Sequence, residues 1–122
     1  MTKTIDELRA QLSVIEPTEA SYAGIGPDDV DALTGMLDDP EPWLAARAAS
    51  ALLRVDSPRA AQLLTEQVRS GRVEVRQTIA AGVHRLPTKL ATPIIELLEK
   101  DEAPSVRKFT VAARQRLANR PG

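Results

Sequence analysis

The 122-residue chain contains no cysteine, which excludes disulfide bonds, thiolate metal sites and a cysteine nucleophile, and fits a protein of the reducing cytoplasm. Hydrophobic residues make up 43% of it but only three residues are aromatic, so an aliphatic core is expected, and no apolar stretch approaches the roughly 18 residues of a membrane span. The net charge of −1 conceals an asymmetry, because residues 1–46 carry a net −8 and residues 47–122 a net +7.

The first predicted element is a helix over residues 4–16, which is expected to cap the N-terminal end of a helical array. Its apolar residues recur at helical spacing, at Ile5, Leu8, Leu12 and Ile15. The stretch 17–25, PTEASYAGI, interrupts this spacing with proline, glycine and small polar residues and is predicted to be a linker. Tyr22 would anchor this linker through its ring and hydroxyl group.

Three later segments repeat one arrangement of small and large residues every 31 positions. They are LAARAASALLRV (44–55), VRQTIAAGVHRL (75–86) and VRKFTVAARQRL (106–117). Positions one, five, eight and twelve of each segment fall on one helical stripe. Position eight is small in all three copies, at Ala51, Gly82 and Ala113. We therefore predict three equivalent amphipathic helices that other helices approach closely, the second of them running over 73–86.

Each of these helices is preceded by a partner helix at the same 31-residue offset. Gly26-Pro27 and Ser57-Pro58 place a cap before a proline at the start of the first two partner helices, and Thr88 offers a hydroxyl cap to the third. Pro93 lies inside the third partner helix, where it predicts a kink or a delayed start. The three predicted repeats span residues 26–56, 57–87 and 88–118.

Stacking is required because a helix pair with an apolar stripe on each member cannot bury both stripes by itself. The sequence therefore predicts one all-α domain over residues 1–122, in which three pairs share a core. In the third copy, position five becomes Thr110 and position nine becomes Arg114, where the earlier copies are apolar. This change is typical of a terminal helix without a successor, so the solenoid is expected to be complete.

The string VRQTIAAGV, from Val75 to Val83, and the Asp39-Pro40 turn resemble the HEAT-repeat family, in particular its short bacterial form. The resemblance covers about residues 26–118, and it departs from the family in period, since HEAT units usually span about 40–47 residues. The arginine at position two is also absent from the first copy, where Ala45 stands. The resemblance implies a right-handed α-solenoid, or α–α superhelix, of three HEAT-like helix pairs with an N-terminal capping helix, which acts as a partner-binding scaffold.

In that family the second helix of each pair lines the concave face, which implies that positions three, four, seven and eleven point outward. Position eleven is arginine in every copy, so Arg54, Arg85 and Arg116 would form a ladder with neighbours roughly 10 Å apart. The other candidate contacts on this face are Arg47, Thr78, Lys108 and Phe109. Because guanidinium groups match carboxylates and phosphates, the candidate residues predict a site for a protein partner with an acidic surface.

A structural explanation of the same arginines is also available. Each lies near a helix C-terminus, where a cation offsets the helix dipole by a few tenths to about 1 kcal/mol, and Arg54 has an acid, Asp56, nearby. Both explanations can hold together. Phe109 either anchors a partner or folds over the terminal helix, whereas Trp43 is expected to pack the turn before the first copy against the capping helix.

The predicted function is a non-enzymatic adaptor, with no catalytic residue, metal or cofactor and no membrane association. His84, the only histidine, lies at the edge of the buried stripe without a second histidine or a cysteine beside it. Asp28-Asp29 and Asp38-Asp39 are expected to cap helix starts and turns rather than to bind a cation.

Two alternatives remain at this point. The basic region 47–122 has the charge for binding a nucleic-acid backbone, although the pI of about 5.8 and the scarcity of aromatic residues oppose it. Because some HEAT-like proteins resemble bilin-attaching lyases, the resemblance also implies a possible accessory or lyase-like subunit that acts on another protein. The charge asymmetry additionally permits head-to-tail self-association.

Overall fold

The computed structural model describes residues 3–13, 19–55 and 57–120, and within these ranges the chain is all-helical, with no β-strand. The α-helices are α1 (Ile5–Leu12), α2 (Val30–Met36), α3 (Pro42–Leu52), α4 (Pro58–Ser70), α5 (Val73–Gly82), α6 (Thr88–Leu98) and α7 (Pro104–Ala118). Short 3₁₀ turns lie at Glu19–Tyr22, Pro27–Asp29 and Val83–Arg85. None of the helices in the described ranges is long and apolar enough to cross a bilayer.

The helices stack as three pairs, α2 with α3, α4 with α5 and α6 with α7. The second helices form one layer, in which α3 contacts α5 and α5 contacts α7, and the first helices α2, α4 and α6 form the other layer in the same order. Helix α1 packs against α2 and α3. This arrangement confirms the α-solenoid predicted from the repeat.

The 31-residue period sets where the second helices begin. Helices α3, α5 and α7 start at Pro42, Val73 and Pro104, each 31 residues after the last. Proline is tolerated there because the first N–H groups of a helix have no partner within the helix, and its fixed φ favours the helical conformation. Pro58 starts α4 in the same way after Ser57.

Small side chains bring the second helices together, as the pattern at position eight predicts. Ala51 and Ala113 are each 1% exposed. A Cβ atom on Gly82 would lie 2.7 Å from Cδ1 of the buried Leu53, which is closer than real Cβ contacts. Helices α3 and α5 therefore approach each other at a distance that depends on the missing side chain of Gly82.

Positions two, six and nine of each second helix face the following pair. On α3 these positions are buried, at Ala45, Ala49 and Leu52. On α7 the equivalent positions are exposed, and Val111 at position six is 59% exposed. Thr110 at position five is nevertheless fully buried, and its hydroxyl donates to the carbonyl of Val106 over 2.7 Å. Only part of the polar change in the third copy thus reaches the surface.

Several helix ends differ from the sequence-based expectation. Helix α5 ends at Gly82 and gives way to the 3₁₀ turn, so the predicted helix over 73–86 is shorter. Thr88 is the first residue of α6 rather than its cap, which is Pro87, and its hydroxyl instead accepts a hydrogen bond from Arg120. Pro93 lies within α6, whose start is not delayed by it.

The N-terminal region is tied to the repeats. A capping box starts α1, with the Thr4 hydroxyl accepting from the Glu7 backbone N–H and the Glu7 carboxylate accepting from that of Thr4. Asp29 is 1% exposed and accepts from the backbone N–H groups of Lys3 and Gly26, so it caps as predicted. Residues 14–16 of the predicted capping helix, residues 17–18 of the predicted linker, and Asp56 lie outside the described residues.

Candidate functional site

The three position-eleven arginines line one cavity of about 300 Å³ over the layer of second helices. Arg54 follows α3, Arg85 lies in the 3₁₀ turn after α5, and Arg116 lies in the last turn of α7. This cavity is referred to below as the arginine groove. The other lining residues used below are Ser50, Thr78, Ala81 and His84. The arginine groove therefore draws its cations from three successive repeats.

A carboxylate of the chain itself already lies between two of these arginines. Oε1 of Glu19 accepts hydrogen bonds from Nη2 of Arg54 at 2.9 Å and from Nη2 of Arg85 at 2.8 Å. Oε2 of Glu19 accepts from Nε of Arg54 at 3.1 Å. Glu19 belongs to the 3₁₀ turn before the repeats, so the predicted linker delivers an acid that bridges the first two repeats.

These contacts keep Glu19 ionised. The hydrogen bond from Arg54 is the main cause that lowers the pKa of Glu19 from 4.5 to about 2, and the charges of Arg54 and Arg85 act in the same direction. The Glu19 side chain is 67% exposed, so water and salt screen the attraction. The Glu19 carboxylate is therefore held by hydrogen bonds that remain accessible to solvent and to a competing anion.

Arg54 is also fixed from below. Its Nη1 donates to the carbonyl and the hydroxyl oxygen of Ser50, at 2.8 and 2.7 Å, and its guanidinium lies 4.0 Å from the ring centre of Tyr22. The carbonyl contact is the helix-end role that the sequence offered as an explanation, and the contact with Glu19 is the anion-binding role. Arg54 performs both roles, and its acid among the described residues is Glu19.

The other end of the arginine groove is rich in positive charge. Among the described residues Arg116 forms no ion pair with an acid. Arg120, which lies beside the arginine groove, donates to the carbonyl oxygens of His84 and Leu86, both at 2.8 Å, and it forms no ion pair with an acid of the described residues. The sequence analysis missed Arg120 because it lies beyond the repeated segments, where the 31-residue register gives no equivalent.

His84 is half-buried beside these arginines. Burial is the main cause that lowers its pKa from 6.5, and the charges of Arg116, Arg85 and Arg120 lower it further. The Nδ1 atom is buried and has no hydrogen-bond partner among the described residues. The imidazole is therefore a half-buried group in a positive environment, at the edge of the buried stripe.

The structure brings four of the seven predicted contact residues together, and it separates the other three. Thr78 lines the arginine groove, although its hydroxyl donates to the Glu74 carbonyl of its own helix. Lys108 and Phe109 are exposed on α7, Phe109 by 44%, and neither of them lines the arginine groove.

Arg47 is directed to the N-terminal end instead of the arginine groove. Its Nη1 donates to the Leu12 carbonyl at 2.5 Å, and its guanidinium lies 5.0 Å from the ring centre of Trp43. Arg47 therefore does not line the arginine groove, because the end of α1 offers a carbonyl within reach. Trp43 is 45% exposed, and its packing of the turn against the capping helix stays a prediction.

A second set of arginine contacts joins successive repeats at their turns. Arg76, at position two, donates from Nε and Nη2 to the two carboxylate oxygens of Asp101, at 2.9 and 3.2 Å, and the side chains are 16% and 6% exposed. Arg76–Asp101 is therefore a mostly buried link between the second and third repeats. Arg9 of α1 pairs with Asp39 of the first turn, but the Arg9 side chain is 40% exposed. Within the described residues no cluster of His, Asp or Glu is arranged to hold a metal ion.

The comparison with known families agrees with this architecture. A family model described as HEAT repeats matches residues 20–83, which is more than half of the chain. The matched range begins directly after Glu19 and includes Arg54. No match was found among curated proteins or among solved structures. HEAT repeats generally serve as protein-interaction scaffolds. With its stacked helix pairs, its repeated register and this match, the chain belongs to the HEAT-repeat family.

Proposed function

We propose that this protein is a non-enzymatic adaptor that binds an acidic segment of a protein partner in the arginine groove. The observation that carries the proposal is the carboxylate of Glu19, held between Arg54 and Arg85 by three hydrogen bonds of 2.8–3.1 Å. A glutamate or aspartate of a partner can form the same charge-assisted contacts, which are stronger than hydrogen bonds between neutral groups. Ala81 and Ser50 have small side chains, which leave room between the arginines for a peptide of the partner to approach.

The chemistry of the arginine groove favours a protein partner over a nucleic acid. Its described lining residues include no Phe, Tyr or Trp side chain on which a base could stack. A phosphate backbone needs a longer row of cations, and Arg47 and Lys108 do not line the groove to extend it. A short acidic peptide segment needs only the two or three cations that the groove supplies.

The described lining residues of the arginine groove also favour binding over catalysis. The Thr78 hydroxyl donates to a backbone carbonyl, the Ser50 hydroxyl accepts from Arg54, and neither is paired with His84 as a nucleophile is paired with its base. We propose the cytoplasm as the site of action, which the absence of cysteine from the sequence supports.

Fluorescence anisotropy tests the proposal with a labelled peptide of glutamates separated by Gly-Ser and with its glutamine analogue. The glutamate peptide is expected to bind and the glutamine peptide is not. Arg116→Glu should weaken binding by about tenfold or more, since it replaces one attraction by a repulsion of similar size, of the order of 1–2 kcal/mol. Arg59→Glu is the matched control, because Arg59 is 60% exposed and pairs with Asp31, away from the arginine groove.

Equal weakening by Arg116→Glu and Arg59→Glu would show that net charge, and not the arginine groove, governs binding. A duplex or single-stranded DNA oligonucleotide is titrated in parallel over a range of salt. If DNA binds more tightly than the peptide, with log affinity falling by about 0.7–0.9 per phosphate contact against log salt, the nucleic-acid alternative replaces the proposal.

A further inference from the structure

The repeat register creates a second position equivalent to the one that holds Glu19. We propose that the space between Arg85 and Arg116, bordered by His84, is a subsite for a carboxylate side chain of the protein partner. This inference rests on the proposed function and deepens it, since it assigns the point at which the partner is held. It also distinguishes the subsite from the adjoining one, where Glu19 already pairs with Arg54 and Arg85.

The 31-residue register relates the proposed subsite to the site that holds Glu19. The Glu19 site is formed by position eleven of copies one and two, with position seven, Ser50, below it. Moving one repeat along the chain replaces these residues by position eleven of copies two and three, Arg85 and Arg116, with Ala81 below them. All of these residues line the same cavity. The second subsite therefore has the same pair of guanidinium groups on successive helices and a smaller side chain beneath.

The charged groups beside His84 are the second observation. Glu19 lies on the side of Arg85 that faces Arg54, because it accepts hydrogen bonds from Arg54 and Arg85 and none from Arg116. Within the described residues no acid pairs with Arg116, and Arg120 binds only two carbonyl oxygens and the Thr88 hydroxyl. Among the described residues, the three guanidinium groups beside His84 thus have one carboxylate, that of Glu19, which Arg85 shares with Arg54. A further carboxylate at this point lowers the electrostatic energy of the cluster.

His84 supplies the readout. Burial lowers the pKa of His84 most. The charges of Arg116 and Arg120 at the C-terminal end and of Arg85 in its own turn lower it further, and the hydrogen bond with the Ala81 backbone has the smallest and opposite effect. Helices α5 and α6 contribute no charged group to this shift. A bound carboxylate offsets the three cations and favours the imidazolium form. By linkage, the acidic ligand binds more tightly to protein in which His84 is protonated.

NMR measures this coupling directly. His84 is the only histidine in the sequence, so its ring Cε1–H signal needs no assignment. We expect acetylated pentaglutamate at saturating concentration to raise the pKa of His84 by about half a pH unit or more, which corresponds to about threefold tighter binding to the protonated form. The peptide affinity measured by anisotropy should increase by the same factor between pH 8 and the pH at which His84 is protonated.

Variants separate the two subsites. Arg116→Gln is expected to raise the pKa of His84 in the free protein and to abolish its response to the peptide. Glu19→Gln should preserve the response, because it changes the adjoining subsite, and Arg59→Gln should also preserve it, because Arg59 lies outside the groove.

Three results would overturn the inference. If the peptide binds and Arg116→Gln leaves both its affinity and the His84 response unchanged, the subsite is absent while the proposed function stands. If the peptide fails to bind to any variant, both the subsite and the proposed function fail. If inorganic phosphate at equal ionic strength raises the pKa of His84 more than the peptide does, the subsite prefers phosphate and its assignment to a carboxylate is wrong.

Discussion

Glu19 shows how one residue couples the linker to the repeats and makes stability depend on pH. Its pKa is lowered to about 2 in the fold, from 4.5, mainly by the hydrogen bond from Arg54. A carboxyl group with a lowered pKa stabilises the fold above its ordinary pKa, and this contribution is lost as the pH falls from about 4.5 toward 2. The contribution is therefore complete at neutral pH.

We predict that Glu19→Gln lowers the free energy of unfolding at pH 7 and that its effect disappears between about pH 4.5 and 2. Urea denaturation of both proteins at a series of pH values gives the difference. In an Arg54→Gln background the same substitution should have a smaller and flatter effect, since the main partner is gone. A difference that stays constant down to pH 2 would contradict the predicted role of Arg54.

Gly82 gives a second prediction at this scale. Gly82→Leu should reduce the free energy of unfolding by about 1–3 kcal/mol, because the new side chain collides with Leu53 across the interface of α3 and α5. Ala81→Leu, at the neighbouring exposed position, is the control and should change stability by less than about 0.5 kcal/mol. Chemical denaturation measures both, and equal effects would show that the contact does not limit the packing.

Sequence reasoning identified the small residue at position eight and the arginine at position eleven, because both recur in register. It did not identify Glu19 as their partner. Glu19 lies in the linker, whose path is determined by tertiary contacts such as the stacking of Tyr22 on Arg54, and no repeated pattern records that path. The contact of Arg47 was not predictable for a related reason, since its register position is shared but the end of α1 is near only the first copy.

At the scale of the elements, the Arg76–Asp101 pair connects the second and third turns. We predict that Asp101→Ala costs about 3–5 kcal/mol in the free energy of unfolding, since it leaves Arg76 buried without its carboxylate and removes the acceptor of the Ala103 N–H. Asp31→Ala breaks the exposed pair with Arg59 and should cost about 0–1 kcal/mol. Thermal or urea unfolding that gives equal losses would contradict the buried link.

The starts of the helices were predictable and their ends were less so. Proline and the 31-residue period mark the starts, at Pro42 and Pro58 for example, because the fixed φ of proline acts locally. The end of α5 at Gly82 depends on distant contacts instead. The turn after α5 is bound by Arg120, which lies at least 34 residues further along the chain and donates to the carbonyl oxygens of His84 and Leu86.

For the whole molecule, a core that runs through all pairs predicts cooperative unfolding. Leu98→Ala, in the last pair, should lower the free energy of unfolding by about 2–5 kcal/mol because Leu98 is fully buried. Trp43, the single tryptophan, lies in the first pair and reports that end by fluorescence, while circular dichroism reports all helices. The two transitions should shift together, and an unchanged fluorescence midpoint would show that the ends unfold independently.

The stack itself was predictable from the sequence because a 31-residue period and matching apolar stripes leave few other ways to bury the hydrophobic side chains. The distribution of charge along the chain was equally visible. The meeting of the acidic first third with the basic remainder inside the arginine groove was not, because it needs the three-dimensional position of one turn, Glu19–Tyr22, relative to three helices.

The exposed residues at positions two, six and nine of α7 have a consequence for protein engineering. Arg107 occupies the position that Arg76 uses to hold the aspartate of the following turn, and Val111 at 59% exposure stands where Ala80 is buried by that pair. A designed hairpin of 31 residues, fused after α7 and carrying an aspartate in its turn, should dock there and lengthen the array by one module. Each added module would bring another position eleven, so the reach of the protein along an acidic chain becomes adjustable in steps of one arginine.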